Sequence, residues 1–157
     1  MARAIQPPPD ALPRRQGLTG RPARCRARPG RREGGPMRVL LIEDDALVRN
    51  MLSETLDGDG FEVDGLANAE DALILLGAGQ VPDVLVADVN LGAGLNGFDL
   101  AEMARARHPD VEVILISGSA PEPARWAGGR REHFLQKPFA PDRLASMIRE
   151  AGAARAP

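Results

Sequence analysis

Residues 84–88 read Val84-Leu85-Val86-Ala87-Asp88, four apolar residues running into one carboxylate. A short apolar run of this kind predicts a strand buried on both faces, and its last residue puts a charged group at the strand's C-terminal end. In open α/β sheets that edge carries the chemistry. An Asp there serves equally as a turn former or a helix cap, so the role of Asp88 depends on what the fold brings beside it.

Working outward, the same pattern recurs. Val39-Leu40-Leu41-Ile42 runs into Glu43-Asp44-Asp45, and a helix is predicted from Ala46 to Leu56, with Leu47, Val48, Met51, Leu52, Thr55 and Leu56 at helical spacing. Gly58-Asp59-Gly60 stops it. Phe61 to Leu66 reads as a short strand, and Asn68 is a suitable N-cap for a helix through Ala69, Ala72, Leu73 and Leu76, closed by Gly77 and Gly79. Beyond Asp88, the glycine-rich stretch Asn90 to Gly97 precedes a helix over Phe98 to Arg107 that should turn Phe98, Ala101, Met103 and Ala104 inward. Val111-Glu112-Val113-Ile114-Leu115-Ile116 predicts the next strand, which ends in Ser117-Gly118-Ser119. Pro121 to Arg131 holds two prolines and Gly128-Gly129, which leave room for a helix of only a turn or two. Phe134-Leu135-Gln136 predicts a brief last strand before Lys137-Pro138-Phe139. Pro141 opens a final amphipathic helix carrying Leu144, Met147 and Ile148. Five strands each followed by a helical segment predict an α/β fold, a doubly wound (βα)5 parallel sheet with right-handed crossovers and a short or irregular fourth helix.

Composition divides the chain in two. Of the 157 residues, 1–36 contain nine Arg against Asp10 and Glu33, a charge of +7, while the remainder has eleven basic and twenty acidic residues, a charge of −9. Seven of the fourteen prolines fall in 1–36, with few residues able to build a core, so this extension should not order by itself. It lacks the aromatics that stack on bases, and no nucleic-acid partner is expected. Met37 stands directly before the first strand and is an alternative start. The expected division is thus an extension over 1–36, a domain over 37–151 and a flexible tail over 152–157. Cys25 is the single cysteine, which excludes an internal disulfide. No stretch reaches the roughly 20 apolar residues of a membrane span, and a cytoplasmic location is expected.

Parallel strands bring their C-terminal ends side by side. Glu43 and Asp44 follow the first strand, Asp88 the third, Ser117 the fourth and Lys137 the fifth. Each alone is an ordinary cap or surface residue. Together, three carboxylates repel unless a cation lies among them, and oxygen donors without His or Cys favour Mg²⁺. A carboxylate nucleophile, a hard cation, a hydroxyl and an ammonium are what phosphoryl transfer onto Asp requires.

These residues resemble the receiver domain of two-component response regulators. The resemblance runs from Met37 to about Ala151. It is carried by the run into Glu43-Asp44-Asp45, the run into Asp88 with Asn90 and Gly97, the run into Ser117-Gly118, and Lys137-Pro138-Phe139. It implies a flavodoxin-like strand order 2-1-3-4-5 and a phosphoryl group accepted on Asp88 from a sensor histidine kinase or histidine phosphotransfer protein. It further implies Mg²⁺ held by Asp44 and Asp88, by Glu43 through water and by the backbone carbonyl of Asn90. Ser117 and Lys137 would contact the phosphoryl group, with Ser117 and Phe134 acting as the switch and the Lys137-Pro138 bond cis. Asp45 is read as a capping or solvated residue.

Three features depart from the common receiver pattern. The segment Asp88 to Gly97 is one residue longer and has Gly92 where a proline is usual; the fourth helix is abbreviated; and Phe134 lacks a phenolic hydroxyl. Only Ala, Gly, Arg and Pro follow the last helix, so a stand-alone receiver is expected, a monomer or weak dimer that signals by docking onto an unknown protein target. Two other readings of the same residues exist. A phosphatase resembling the haloacid dehalogenases fails on chain order, since Glu43-Asp44 precede Asp88, and on Asn90 standing where the acid Asp would be. A phosphorylation-independent interaction module keeping only the fold is the other alternative.

Overall fold

The structure, a computed structural model, describes residues 34–120 and 129–154. Among these, β1 (Arg38–Ile42), α1 (Ala46–Gly58), β2 (Glu62–Leu66), α2 (Ala69–Gly77), β3 (Val84–Asp88), α3 (Gly97–Arg107), β4 (Glu112–Ser117), β5 (Glu132–Gln136) and α4 (Pro141–Ala153) follow in order. The five strands are parallel and lie in the order β2-β1-β3-β4-β5, as expected. From β1 the chain first steps outward to β2 and then crosses back to β3. The switch of direction therefore falls between β1 and β3, where a crevice opens beyond the strand ends.

Period-two alternation along the strands divides the core into two layers. Val39, Leu41, Val84, Val86, Ile114, Ile116 and Leu135 pack with Leu52 and Leu56 of α1 and with Leu144 and Ile148 of α4. Leu40, Ile42, Leu85, Ala87, Val113 and Leu115 pack on the other face with Ala72 and Leu76 of α2 and Leu100, Ala101 and Ala104 of α3. Every residue of β3 is buried, because helices cover both faces and strands flank both sides. Each fully buried Leu, Ile or Val contributes on the order of 1.5–3 kcal/mol. β2, at one edge, is largely exposed and correspondingly polar.

The helix ends follow their capping residues. Asp45 accepts from the Leu47 and Val48 amides at 2.9 and 3.2 Å and starts α1. Asn68 accepts from the Asp71 amide at 2.8 Å and starts α2. Asn96 and Asp99 form a reciprocal capping box at α3, and Pro141 lies in the first turn of α4.

Several expectations require correction. Met103 is 38% exposed rather than inward, and Leu100 occupies the buried stripe with Ala101 and Ala104. At 100° per residue Met103 falls well to one side of that stripe. Leu47 and Met51 share the apolar spacing of α1 but stand on its flank, exposed, while Leu52 and Leu56 face the sheet. β2 begins at Glu62, one residue late, with Phe61 buried just before it. β5 begins at Glu132, two residues early, because the Arg131 carbonyl already accepts from the Val113 amide at 2.9 Å. The last helix continues to Ala153, two residues past the expected domain end. The abbreviated helix expected within Pro121 to Arg131 lies largely outside the described residues, as do residues 1–33 of the N-terminal extension.

Candidate functional site

The register places the candidate residues along one edge. Ile42 pairs with Ala87 and Asp88 with Ile116, so Glu43 and Ser117 each stand one residue beyond the strand neighbours of this pair. Ser117 pairs with Gln136, and Lys137 follows immediately, its amide donating to the Ser117 carbonyl at 2.8 Å. The Lys137-Pro138 peptide is cis.

Asp88 and Glu43 are both buried, at 5% and 4% exposure. The Lys137 ammonium bonds directly to Asp88 Oδ2, and its Nζ lies 3.8 Å from Glu43 Oε2. Asp88 Oδ1 accepts from the Asn90 amide at 2.8 Å. The Val89 amide donates to the Ile116 carbonyl at 2.8 Å, which continues the β3–β4 ladder one residue past Asp88. Glu43 Oε1 accepts from the Asp45 amide at 3.2 Å, and Arg49 Nη1 donates to the Glu43 carbonyl at 2.7 Å.

Two carboxylates thus face one ammonium. Burial, reinforced by the negative charge of Asp88 and a hydrogen bond with Asp44, pushes the Glu43 carboxyl up to about 7, against the opposing pull of the Asp45 amide and Lys137. Partial burial opposes the charge on Lys137, yet the hydrogen bond and charge of Asp88, with the charges of Glu43 and Asp44, outweigh it and hold its pKa above the ordinary lysine value.

This imbalance is the test of whether the residues suit Mg²⁺. Excess negative charge, presented by hard oxygen atoms at a solvent-accessible edge, is the environment that a small divalent cation relieves. Among the described residues no three His, Cys, Asp or Glu side chains close into a metal cage. Mg²⁺ does not need one, since it keeps several waters and takes only one or two carboxylates. The carboxylate oxygens of Glu43, Asp44 and Asp88 are donors of the kind it takes.

Ser117 is half-buried at the end of β4, where its Oγ accepts from the Ser119 amide at 3.2 Å. Phe134 lies on β5 opposite Leu115, half-buried against the layer that includes Leu100. An apolar groove of about 380 Å³ opens beside Glu43 and Lys137, lined by Val48, Met51, Pro138 and Phe139 among others.

The loop after Asp88 is closed by a hydrogen bond from the Gly97 amide to the Val89 carbonyl, 3.0 Å long. A Cβ on Gly97 would collide with the Asp88 carbonyl oxygen and with Val89 Cα. Gly92 and Gly94 adopt φ of +75° and +97°, where only glycine is unstrained. Sequence reasoning identified this loop but missed what holds it: Glu70 Oε1, on α2, accepts from the Leu95 amide at 3.1 Å. A contact across 25 residues leaves no local signal.

With this geometry in place the comparisons are decisive. The model of the response regulator receiver domain matches residues 39–149. The chain belongs to that family. Among relatives, the C4-dicarboxylate transport transcriptional regulatory protein DctD of Rhizobium meliloti (strain 1021) is 33% identical over 115 residues, 72% of this receiver chain and 25% of the relative. Response regulator MprA of Mycolicibacterium vanbaalenii is 29% identical over 116 residues, 73% of this chain and 49% of its own. The chain spans about a quarter to a half of the length of such curated relatives. The crystal structure of a response regulator receiver protein from Sinorhizobium medicae WSM419 is similar, with TM-score 0.70 and 28% identity, over 77% of this chain and 98% of that one. The response regulator TrrA from Thermotoga maritima, in complex with Mg²⁺-BeF, shares the fold at TM-score 0.65 and 24% identity, over 73% and 98% of the two chains. No helix among the described residues of this receiver is long and apolar enough to cross a membrane.

Proposed function

We propose that this receiver accepts a phosphoryl group on Asp88 from the phosphohistidine of a sensor histidine kinase or histidine phosphotransfer protein, with Mg²⁺ as cofactor, in the cytoplasm. The observation that carries the reading is a buried carboxylate at the end of the central strand, bonded to Lys137, whose ammonium also lies 3.8 Å from the buried Glu43 carboxyl.

In the transfer an Asp88 carboxylate oxygen attacks phosphorus, an O–P bond forms, and the P–N bond to the donor imidazole breaks with its electron pair leaving on nitrogen. The Asn90 amide and Lys137 hold the Asp88 carboxylate in one orientation before attack, which lowers the entropic part of the barrier. Lys137 then offers its positive charge to a phosphoryl oxygen as negative charge accumulates there, and the Ser117 hydroxyl donates to another. Mg²⁺, when bound, neutralises charge on the acidic cluster and on the transferred group. Asp44, Glu43, Asp88 and the Asn90 carbonyl are the residues that would hold it. No external substrate is turned over, so the reaction serves signalling.

Once phosphorylated, the new contacts of Ser117 and Lys137 bias the strand ends toward a second arrangement, and inward packing of Phe134 transmits it to a docking surface. The partner downstream is a protein, and the receiver acts as a monomer or weak dimer.

The test is phosphate incorporation from acetyl phosphate and Mg²⁺. Wild-type protein should take up an acid-stable, hydroxylamine-labile phosphate, and Asp88→Asn should not. Undiminished labelling of Asp88→Asn overturns the assignment.

A further inference from the structure

The loop between β3 and α3 passes beside Asp44: a Cβ built on Gly92 would be in ordinary van der Waals contact with it, 3.8 Å from Asp44 Oδ2. Leu91 is buried in the core layer on the α2 and α3 side of the sheet, which anchors the near side of the loop. Its far side has a polar anchor, the bond from the Leu95 amide to Glu70 Oε1. Glu70 presses against the loop, since a Cβ on Gly94 would stand 2.5 Å from the same oxygen. The loop carries Asn90 at one end and the capping residue Asn96 at the other. Glu70 belongs to neither the acidic cluster nor the loop. It reaches the loop from the first turn of α2.

We propose that Glu70 is a positioning residue for the cation: by holding the Leu95 amide it keeps the loop folded down on Asp44, with the Asn90 backbone in place to complete the cation's oxygen donors. The two positive-φ glycines of the loop explain why such an anchor is needed. A loop with Gly92 and Gly94 has more conformations to lose on closing over the cluster, and one hydrogen bond across to α2 restores the bias. The Leu95 amide in turn holds the Glu70 carboxyl below the ordinary glutamate pKa. The proposal rests on the reading of Glu43, Asp44 and Asp88 as a cation site.

The experiment titrates the full chain with Mg²⁺ alone, by calorimetry, for wild type, Glu70→Ala and Glu70→Gln, with thermal melts of each in EDTA. Glu70→Ala should weaken Mg²⁺ binding by about three- to tenfold, less than the roughly 10- to 100-fold lost with a partner of a metal ligand itself. Its melt in EDTA should stay within about 2 °C of wild type, since a surface contact contributes little to global stability. Glu70→Gln keeps an oxygen that accepts from Leu95 and should recover most of the affinity. Equal affinities for wild type and Glu70→Ala overturn the positioning role while leaving the cation site intact. Equal weakening in Glu70→Gln and Glu70→Ala assigns the effect to charge and overturns it too. A wild type that binds no Mg²⁺ overturns the cation reading and this proposal with it.

Discussion

Lys137 and Asp88 form a direct ion pair that ties the segment following β5 to the end of β3. The ammonium neutralises one of two buried carboxylates and cannot fully serve both. Lys137→Met should therefore affect two measurements in opposite directions. Phosphoryl transfer from acetyl phosphate should slow by about 10²-fold, the order lost when one preorganised charge-stabilising donor is removed. Mg²⁺ should bind more tightly, because the cation then meets less compensated negative charge. Transfer rates and calorimetric titration of the same preparation check both.

Glu43 provides a pH dependence in the metal-free protein. Its carboxyl is raised from 4.5 to about 7, chiefly by burial. Between those values the native state holds a proton that the unfolded chain has released. The group's contribution to stability is thus complete below about pH 4.5 and disappears as pH rises through about 7. Urea unfolding in EDTA should show wild type losing stability relative to Glu43→Gln over that window. A difference independent of pH would contradict the assignment.

Gly97 and Gly58 make a contrasting pair. A side chain at Gly97 meets the backbone of Asp88 and Val89, which is held in the β3–β4 ladder, so Gly97→Ala should destabilise by ~2–4 kcal/mol. At Gly58, the last residue of α1, a Cβ meets nothing within 4 Å. Gly58→Ala should stabilise by about 0.4–1 kcal/mol through the unfolded state. Denaturant melts measure both.

Glu112, 2% exposed at the start of β4, accepts from His133 Nε2 at 3.1 Å and Arg131 Nη1 at 3.4 Å. Both partners are about one-third exposed. Removing them together, Arg131→Ala with His133→Ala, leaves a buried carboxylate without its hydrogen-bond partners and should cost ~2–4 kcal/mol. Glu112→Leu removes the buried charge itself and should stay within about 1.5 kcal/mol of wild type. Equal costs would mean that the pairs, rather than burial of the charge, set the energetics.

What could be read in advance was local. The apolar runs into Glu43, Asp88 and Ser117, the caps Asp45 and Asn68, and Pro141 each carry their signal within a few residues, and the structure has the strands and caps there. Alternation of strand and helix then brings Lys137 beside Asp88 without further information. Leu47, Met51 and Met103 defeated the pattern because helical spacing marks a stripe wider than the face that finally packs. The early start of β5 and the contact of Glu70 with Leu95 depend on register and loop path, which arise only when distant segments meet.

β3 lies between β1 and β4, with all five residues buried. Its amides are held on both sides, so they should exchange with deuterium only through global unfolding. Asp88 is therefore mounted on the slowest-opening strand, while Gly92 and Gly94 in the loop beyond it are exposed and should exchange freely. An isotope-exchange map should show a steep boundary between Asp88 and Gly92, with the proposed phosphoryl acceptor on the permanent side.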